Sequence, residues 1–273
     1  MTTQLITIPN TAIRVAVHNK ACAWRAETFW TKEPATIGWL GDLKPDDVLW
    51  DVGANIGLYS LFAASRGIRT IAFEPMIPNL YALWENLRAN PELAKLITIA
   101  PIALSDTDGF DVLHLSSMDI GSSCHSAGEP TNFRGERKEH WQGRHGIMMA
   151  RAGSFQVLPP PNAIKIDVDG LEHRVVAGFG ALTEWPDLRT WCIETNLSIP
   201  GHVAMVEHLQ ANGFSYDPKQ FAAAQRREGP FQGVGEAIFI RVANVEPSYA
   251  FREATPAEFE AACATGSGLE SIR

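Results

Sequence analysis

The stretch Asp51-Val52-Gly53-Ala54-Asn55-Ile56-Gly57 brings a carboxylate and two glycines together within seven residues. Glycine serves where a backbone must turn sharply and where a ligand must approach it with no Cβ in the way. The apolar run Val48-Leu49-Trp50 precedes the stretch and the helical Leu58 to Ser65 follows it, so it reads as strand, turn and helix. Such a unit places a nucleotide-type cofactor at the carboxyl end of a buried parallel strand, whereas a turn met in isolation is equally a structural tight turn. A dinucleotide fingerprint wants glycine at the second and third positions of G-x-G-x-x-G, where pyrophosphate rests on backbone and helix N-terminus. Asn55 and Leu58 stand there instead, and Asp51 would repel a phosphate. S-adenosylmethionine fits better, because it has no phosphate and carries an ammonium and a sulfonium that a carboxylate attracts. Glu74 ends the next apolar run, Thr70-Ile71-Ala72-Phe73, and an acid roughly 20 residues beyond the glycine turn can accept hydrogen bonds from both ribose hydroxyls.

Three further groups follow in order: Phe73-Glu74-Pro75-Met76-Ile77-Pro78-Asn79 with the helical Leu80 to Asn90, Ala103-Leu104-Ser105-Asp106, and Lys165-Ile166-Asp167-Val168-Asp169-Gly170-Leu171-Glu172. As an ordered set over roughly Leu49 to Asn196, these resemble the FkbM-type S-adenosylmethionine-dependent methyltransferases. One departure is Asp169, where that family usually has Glu; the charge is kept and the reach shortened. The resemblance implies an α/β, Rossmann-like, doubly wound and mostly parallel sheet of the class I methyltransferase type, with Phe214-Ser215-Tyr216 and Ala237 to Val242 as an antiparallel pair at its edge. It also implies transfer to a hydroxyl of a sugar, a glycosylated metabolite or a polyketide-like one. Ile120-Gly121-Ser122-Ser123 is similar to a Gly-Ser-Ser segment of the family. Asp51, Gly53, Asn55, Gly57, Glu74 and Pro75 are the expected cofactor contacts. Ser105 and Asp106 are expected at the adenine, with a plain surface turn as the alternative for Asp106.

Methyl transfer from a sulfonium is an in-line displacement, so the acceptor atom must be held about 3 Å from the methyl carbon, and a hydroxyl acceptor must give up its proton. Asp167, Asp169, Glu172, His173 and Glu194 lie at the carboxyl ends of the fourth and fifth strands, which share one crevice in a doubly wound sheet. Asp167 is the first choice, as proton acceptor and as a cofactor contact; Glu194 is the second and His173 the third. Helix capping is the alternative for Asp167, and packing for His173. Asp167 and Glu194 could also hold a divalent metal, but no dedicated ligand spacing is present, and none is expected.

At 273 residues, 45% hydrophobic and 20% charged, the chain has the composition of a soluble globular protein. A net charge of −8 argues against a long nucleic-acid surface. Cys22, Cys124, Cys192 and Cys263 form no C-x-x-C pair and read as reduced thiols. With no apolar run long enough to span a bilayer and no signal-peptide pattern after Met1, a cytoplasmic location is expected. Residues 1–47 read as a hairpin, Leu5 to Val17, and an aromatic cover containing Trp24, Phe29, Trp30 and Trp39, broken at Pro34; the cover lies over the sheet edge or walls the acceptor pocket. Residues 48–242 form the cofactor-binding unit, in which Leu80, Leu83, Trp84 and Leu87 mark the buried stripe of a helix. Residues 116–161 show no periodicity and carry Arg134, Arg137 and Arg144 among other basic groups. They read as a solvated face or as a lid over an anionic acceptor. Ser122, Ser123, His125, Arg134 and Arg144 are the candidate acceptor contacts. The tail, 243–273, holds a helix near Pro256 to Cys263. Two rivals are weighed: a nicotinamide-dependent oxidoreductase, opposed by Asp51 and Asn55, and a non-catalytic binding module, opposed by the retained strand-end acids. The sequence leaves the oligomeric state open.

Overall fold

The computed structural model describes residues 4–155 and 157–242, so the helix expected in the tail lies outside the described residues. Seven strands form the central sheet: β1 (Val48–Val52), β2 (Arg69–Phe73), β3 (Ile97–Ala100), β4 (Ala163–Ile166), β5 (Thr190–Thr195), β6 (Phe214–Tyr216) and β7 (Gly235–Arg241). Their order across the sheet is β6-β7-β5-β4-β1-β2-β3. β1 to β5 run parallel, while β7 is antiparallel to both β5 and β6, giving the expected doubly wound sheet with an antiparallel edge. The winding reverses between β1 and β4, and ligands of such sheets bind in the crevice at that reversal.

Strand periodicity decides what faces where, because successive side chains point to opposite faces. Along β1, Leu49 packs with α1 (Leu58–Ser65), α2 (Ile77–Ala89) and the N-terminal helices; Trp50 and Val52 pack on the opposite face with α3 (Glu172–Phe179) and α4 (Pro200–Ala211). Asp51 shares the face of Leu49, and Lys165 is its register partner on β4. Cys192 and Glu194 continue that face on β5, and Glu236 lies opposite Glu194 on β7. A polar layer therefore runs between one face of the sheet and the helices Lys20–Glu27, Phe29–Lys32 and Pro34–Asp42 that cover it. Pro34 sits at the first turn of the third of these, where its missing N–H costs nothing.

The glycines of the first motif answer to packing. At Gly53, with φ +84°, a Cβ would lie 1.9 Å from the Asp167 carbonyl oxygen, and at Gly57 it would lie 2.1 Å from Leu83. The backbone turn is thus pressed against β4 and α2. Gly178, which in sequence reads as a weak point in a helix, lies within α3 for the same reason: a Cβ there would meet the Ser105 carbonyl at 1.9 Å.

α2 corrects the expected stripe. Leu83 and Leu87 are buried, but Trp84 is 57% exposed, and Asn79 and Asn86 take inward positions. Asn86 accepts from the Ala16 N–H at 2.7 Å and donates to the Ile56 carbonyl at 2.7 Å, tying the N-terminal hairpin (Gln4–Thr7, Arg14–Val17) to the cofactor turn. Asn86→Ala is expected to leave both buried backbone groups unpaired and to cost about 2–4 kcal/mol in urea unfolding; an unchanged midpoint would contradict this.

The segment expected to be irregular contains regular structure. Gly143–Ala150 pairs antiparallel with Gly109–Leu115, and with Ser126–Ala127 and Ala103–Leu104 they form a four-stranded sheet around Leu113, Leu115, Ile147 and Met149. Among the described residues, no helix is long and apolar enough to cross a membrane.

Candidate active site

A cleft of about 420 Å³ opens at the carboxyl ends of β1, β2, β4 and β5, within the size range of small-molecule sites. Its lining includes Gly53, Asn55, Glu74, Pro75, Ser105 and the apolar Ile102, Leu104, Leu113 and Leu171. Glu74 is buried, and its two carboxylate oxygens accept the backbone N–H groups of Asn55 and Met76 at 2.8 Å each. Burial outweighs these bonds and raises its pKa to about 7. A carboxylate lining the cleft at this strand end suits a vicinal ribose diol, and the apolar lining residues with Ser105 suit a purine ring. Asn55, at φ +53°, donates through Nδ2 to the Ser122 carbonyl at 2.7 Å, while Asn79 accepts from the Gly121 N–H at 2.8 Å. These two amides hold the Gly121-Ser122 loop over the turn.

The same cleft is also lined by Trp24, Arg25, Lys32, Asp167, Asp169, Glu194, Arg226 and Phe231. Carboxylate oxygens of Asp167, Asp169 and Glu194 lie within 4.8 Å of one another, close enough to hold a cation. Although burial opposes it, Lys165, Lys32 and Arg226 hold Asp167 below the usual carboxylate range. Burial and the charge of Asp167 push Asp169 up to about 7. Burial, followed by Asp167, Glu172 and Asp169, raises Glu194 well above its ordinary value, even though Arg226 donates to it at 3.2 Å. Three acids whose proton affinities are pushed apart therefore face the same space.

The structure sorts the sequence candidates. Gly53, Asn55, Glu74, Pro75, Ser105, Ser122, Ser123, His125, Asp167 and Glu194 all line the cleft. Asp51 does not: it is fully buried, accepts from Ser60 at 2.6 Å and pairs with Lys165 at 3.6 Å, because β1 turns it toward the helical layer. Gly57 likewise stands behind the cleft, against Leu83. Asp106 is drawn away by Arg174, which donates to it at 2.7 Å and 3.0 Å. His173 is turned between α3 and α4, with its ring 5.5 Å from that of His202. Arg134, Arg137 and Arg144 are exposed and line no part of the cleft. Arg134 instead donates to the Pro230 carbonyl at 2.7 Å, beside a Phe133–Phe231 ring contact of 4.3 Å, so it fastens the 130–135 segment to the loop that carries Phe231. His125 accepts the Ser116 N–H at Nδ1 (3.2 Å), which leaves Nε2 protonated and donating to Ser122 Oγ at 3.1 Å. It has no free lone pair for an incoming proton, and burial lowers its pKa to about 4.

The cations that do line the cleft, Arg25, Lys32 and Arg226, went unread in the sequence because Arg25 and Lys32 are single basic residues and the Arg226-Arg227 pair belongs to no motif. Glu172 was read only as a candidate base. It is fully buried, accepts the Val168 and Gly170 N–H groups at 2.8 Å and 3.0 Å and sits 3.0 Å from His202 Nε2, whose Nδ1 accepts the Asn196 N–H at 3.0 Å. This bridge fixes the loops after β4 and β5 relative to each other, and with them Asp167 and Glu194.

Comparison with known proteins follows the same lines. The family model for the methyltransferase FkbM domain matches residues 51–216. The hexuronic acid methyltransferase AglP of Haloferax volcanii is 28% identical over 174 residues, covering 62% of this chain and 64% of its own. The AMB antimetabolite synthetase AmbE of Pseudomonas aeruginosa is 46% identical over 68 residues, 24% of this chain and 3% of that much longer one. The match thus spans less than two thirds of either curated relative. The crystal structure of an FkbM methyltransferase from Methylobacillus flagellatus superposes with a TM-score of 0.47 at 15% identity, covering 73% of this chain and 45% of the other. Since the family model runs from the end of β1 through β6, across every strand end that lines the cleft, the chain belongs to the FkbM methyltransferase domain family, whose cofactor is S-adenosylmethionine.

Proposed function

We propose that this protein is an O-methyltransferase acting on a hydroxyl of a saccharide or glycosylated metabolite. The observation that carries the reading is the make-up of one cleft, whose lining combines Glu74 and Ser105, suited to an adenosine, with the clustered acids Asp167 and Glu194. The bound cofactor supplies an electrophilic methyl group on a sulfonium. Asp167, kept ionised by Lys165, offers that positive centre a fixed negative charge. Glu194, whose carboxylate burial and the neighbouring acids make more basic than usual, is the proton acceptor we assign to the hydroxyl. The acceptor oxygen gains the methyl group as the carbon–sulfur bond breaks, and its proton passes to Glu194. Trp24 and Phe231 supply flat apolar walls of the kind that sugar rings stack on. The hexuronic acid named for the Haloferax volcanii relative supports a sugar acceptor.

The test is to incubate the purified chain with methyl-labelled cofactor and a panel of nucleotide sugars, uronic acids, oligosaccharides and hydroxylated metabolites. Label in an alkali-stable ether on a saccharide oxygen is the expected outcome. Label appearing only on nitrogen, on carbon or in nucleic acid would overturn the reading.

A further inference from the structure

The main cleft does not end at the acids. It runs into a recess of about 40 Å³, lined by Gly53, Tyr59, Lys165, Asp167 and, from the N-terminal helices, Arg25 and Lys32. Cleft and recess share Arg25, Lys32, Gly53, Asn55 and Asp167, so the two are continuous. Two of its three cations are already engaged: Lys165 with Asp51 and Asp167 at 3.6 Å and 3.5 Å, and Lys32 with Glu33. Arg25 differs. Its Nε donates to the Gly121 carbonyl at 2.8 Å, and among the described residues no carboxylate pairs with its terminal guanidinium nitrogens. Its helix, Lys20–Glu27, is capped by Asn19, which also donates to the Ile120 carbonyl at 2.8 Å, so the same loop that holds the guanidinium at Nε also holds the start of its helix.

We propose that Arg25 receives the carboxylate of the cofactor's amino-acid tail, so that a residue outside the family-matched segment completes the cofactor site. The inference rests on the cofactor reading. With the ribose at Glu74 and the adenine at the Ser105 end, the tail must lie beyond Gly53, toward the recess. Its ammonium finds the ionised Asp167 there, and its carboxylate needs a cation not already neutralised. The planar guanidinium of Arg25 can take a carboxylate with two parallel hydrogen bonds, a geometry a lysine cannot reproduce.

The experiment is calorimetric titration of the full-length chain with two probes, S-adenosylhomocysteine and 5′-deoxy-5′-methylthioadenosine. The second keeps the adenosine and sulfur but lacks the amino-acid tail. The wild type should bind the first more tightly. Arg25→Met should weaken the first by about 10- to 100-fold, the range for losing a charge-assisted pair, and leave the second unchanged. The tail-less probe also reports that the variant is folded, and Arg25→Lys should recover part of the loss. Equal weakening of both probes would overturn the inference, as would unchanged S-adenosylhomocysteine binding with a raised KM for the acceptor. If the wild type bound neither probe, the cofactor reading would fall, and this inference with it.

Discussion

Glu194→Gln is expected to reduce kcat by about 10²- to 10⁴-fold, the usual contribution of a general base, while cofactor affinity stays within a few-fold of the wild type. The glutamine keeps the shape of the side chain and its hydrogen-bond acceptor toward Arg226, so the loss should appear in the chemical step. The pH profile supplies the sign. Only the deprotonated carboxylate can take a proton, and burial with the neighbouring acids raises the pKa of Glu194, so wild-type kcat should climb with pH on a limb displaced above the ordinary carboxylate range. That limb should be missing from the variant. A wild-type profile flat from pH 5 to 9, or a variant retaining the limb, would move the role to Asp167 or Asp169.

Lys165→Met should have the largest effect on stability, about 3–5 kcal/mol by urea unfolding, because it strands charges in the interior. Lys165 and Asp51 are register partners on β4 and β1, both buried, and the second oxygen of Asp51 accepts from Ser60. Burial works against the ammonium, yet the carboxylates of Asp167 and Asp51 hold its pKa above the ordinary lysine value. Adding Asp51→Asn to the lysine variant should return part of the loss, since one of the two stranded charges is then gone. If the double variant were less stable than the single one, Asp51 would be stabilised chiefly by something other than Lys165.

The strand, turn and helix around Gly53 and the strand-end acids were legible because apolar periodicity and glycine placement are local properties. What failed depended on register or on distant neighbours. Leu49 and Asp51 alternate with Trp50 and Val52, so the sequence contains the fact that Asp51 shares a face with Leu49. Which face the helices cover, and that Lys165 lies opposite, depends on pairing between strands more than a hundred residues apart. Gly143–Ala150 escaped notice because only Ile147 and Met149 point inward, too weak an alternation to distinguish a strand from a loop. Trp84 was misplaced because large apolar residues were given the inward face, whereas Asn79 and Asn86 occupy it to satisfy backbone groups of the cofactor turn and the loop above it.

The contact between Gly53 and the Asp167 carbonyl bears on how active and inactive relatives are told apart. A methyl substituent at that position collides with a neighbouring strand whether or not any ligand is bound, and the same holds where Gly57 meets Leu83. A descendant that had abandoned methyl transfer would still need both glycines merely to fold. Surveys that score such turns as signs of activity will therefore over-count, and among the acids that face the cleft Glu194 is a better diagnostic than Asp167, which is also tied to the buried Lys165.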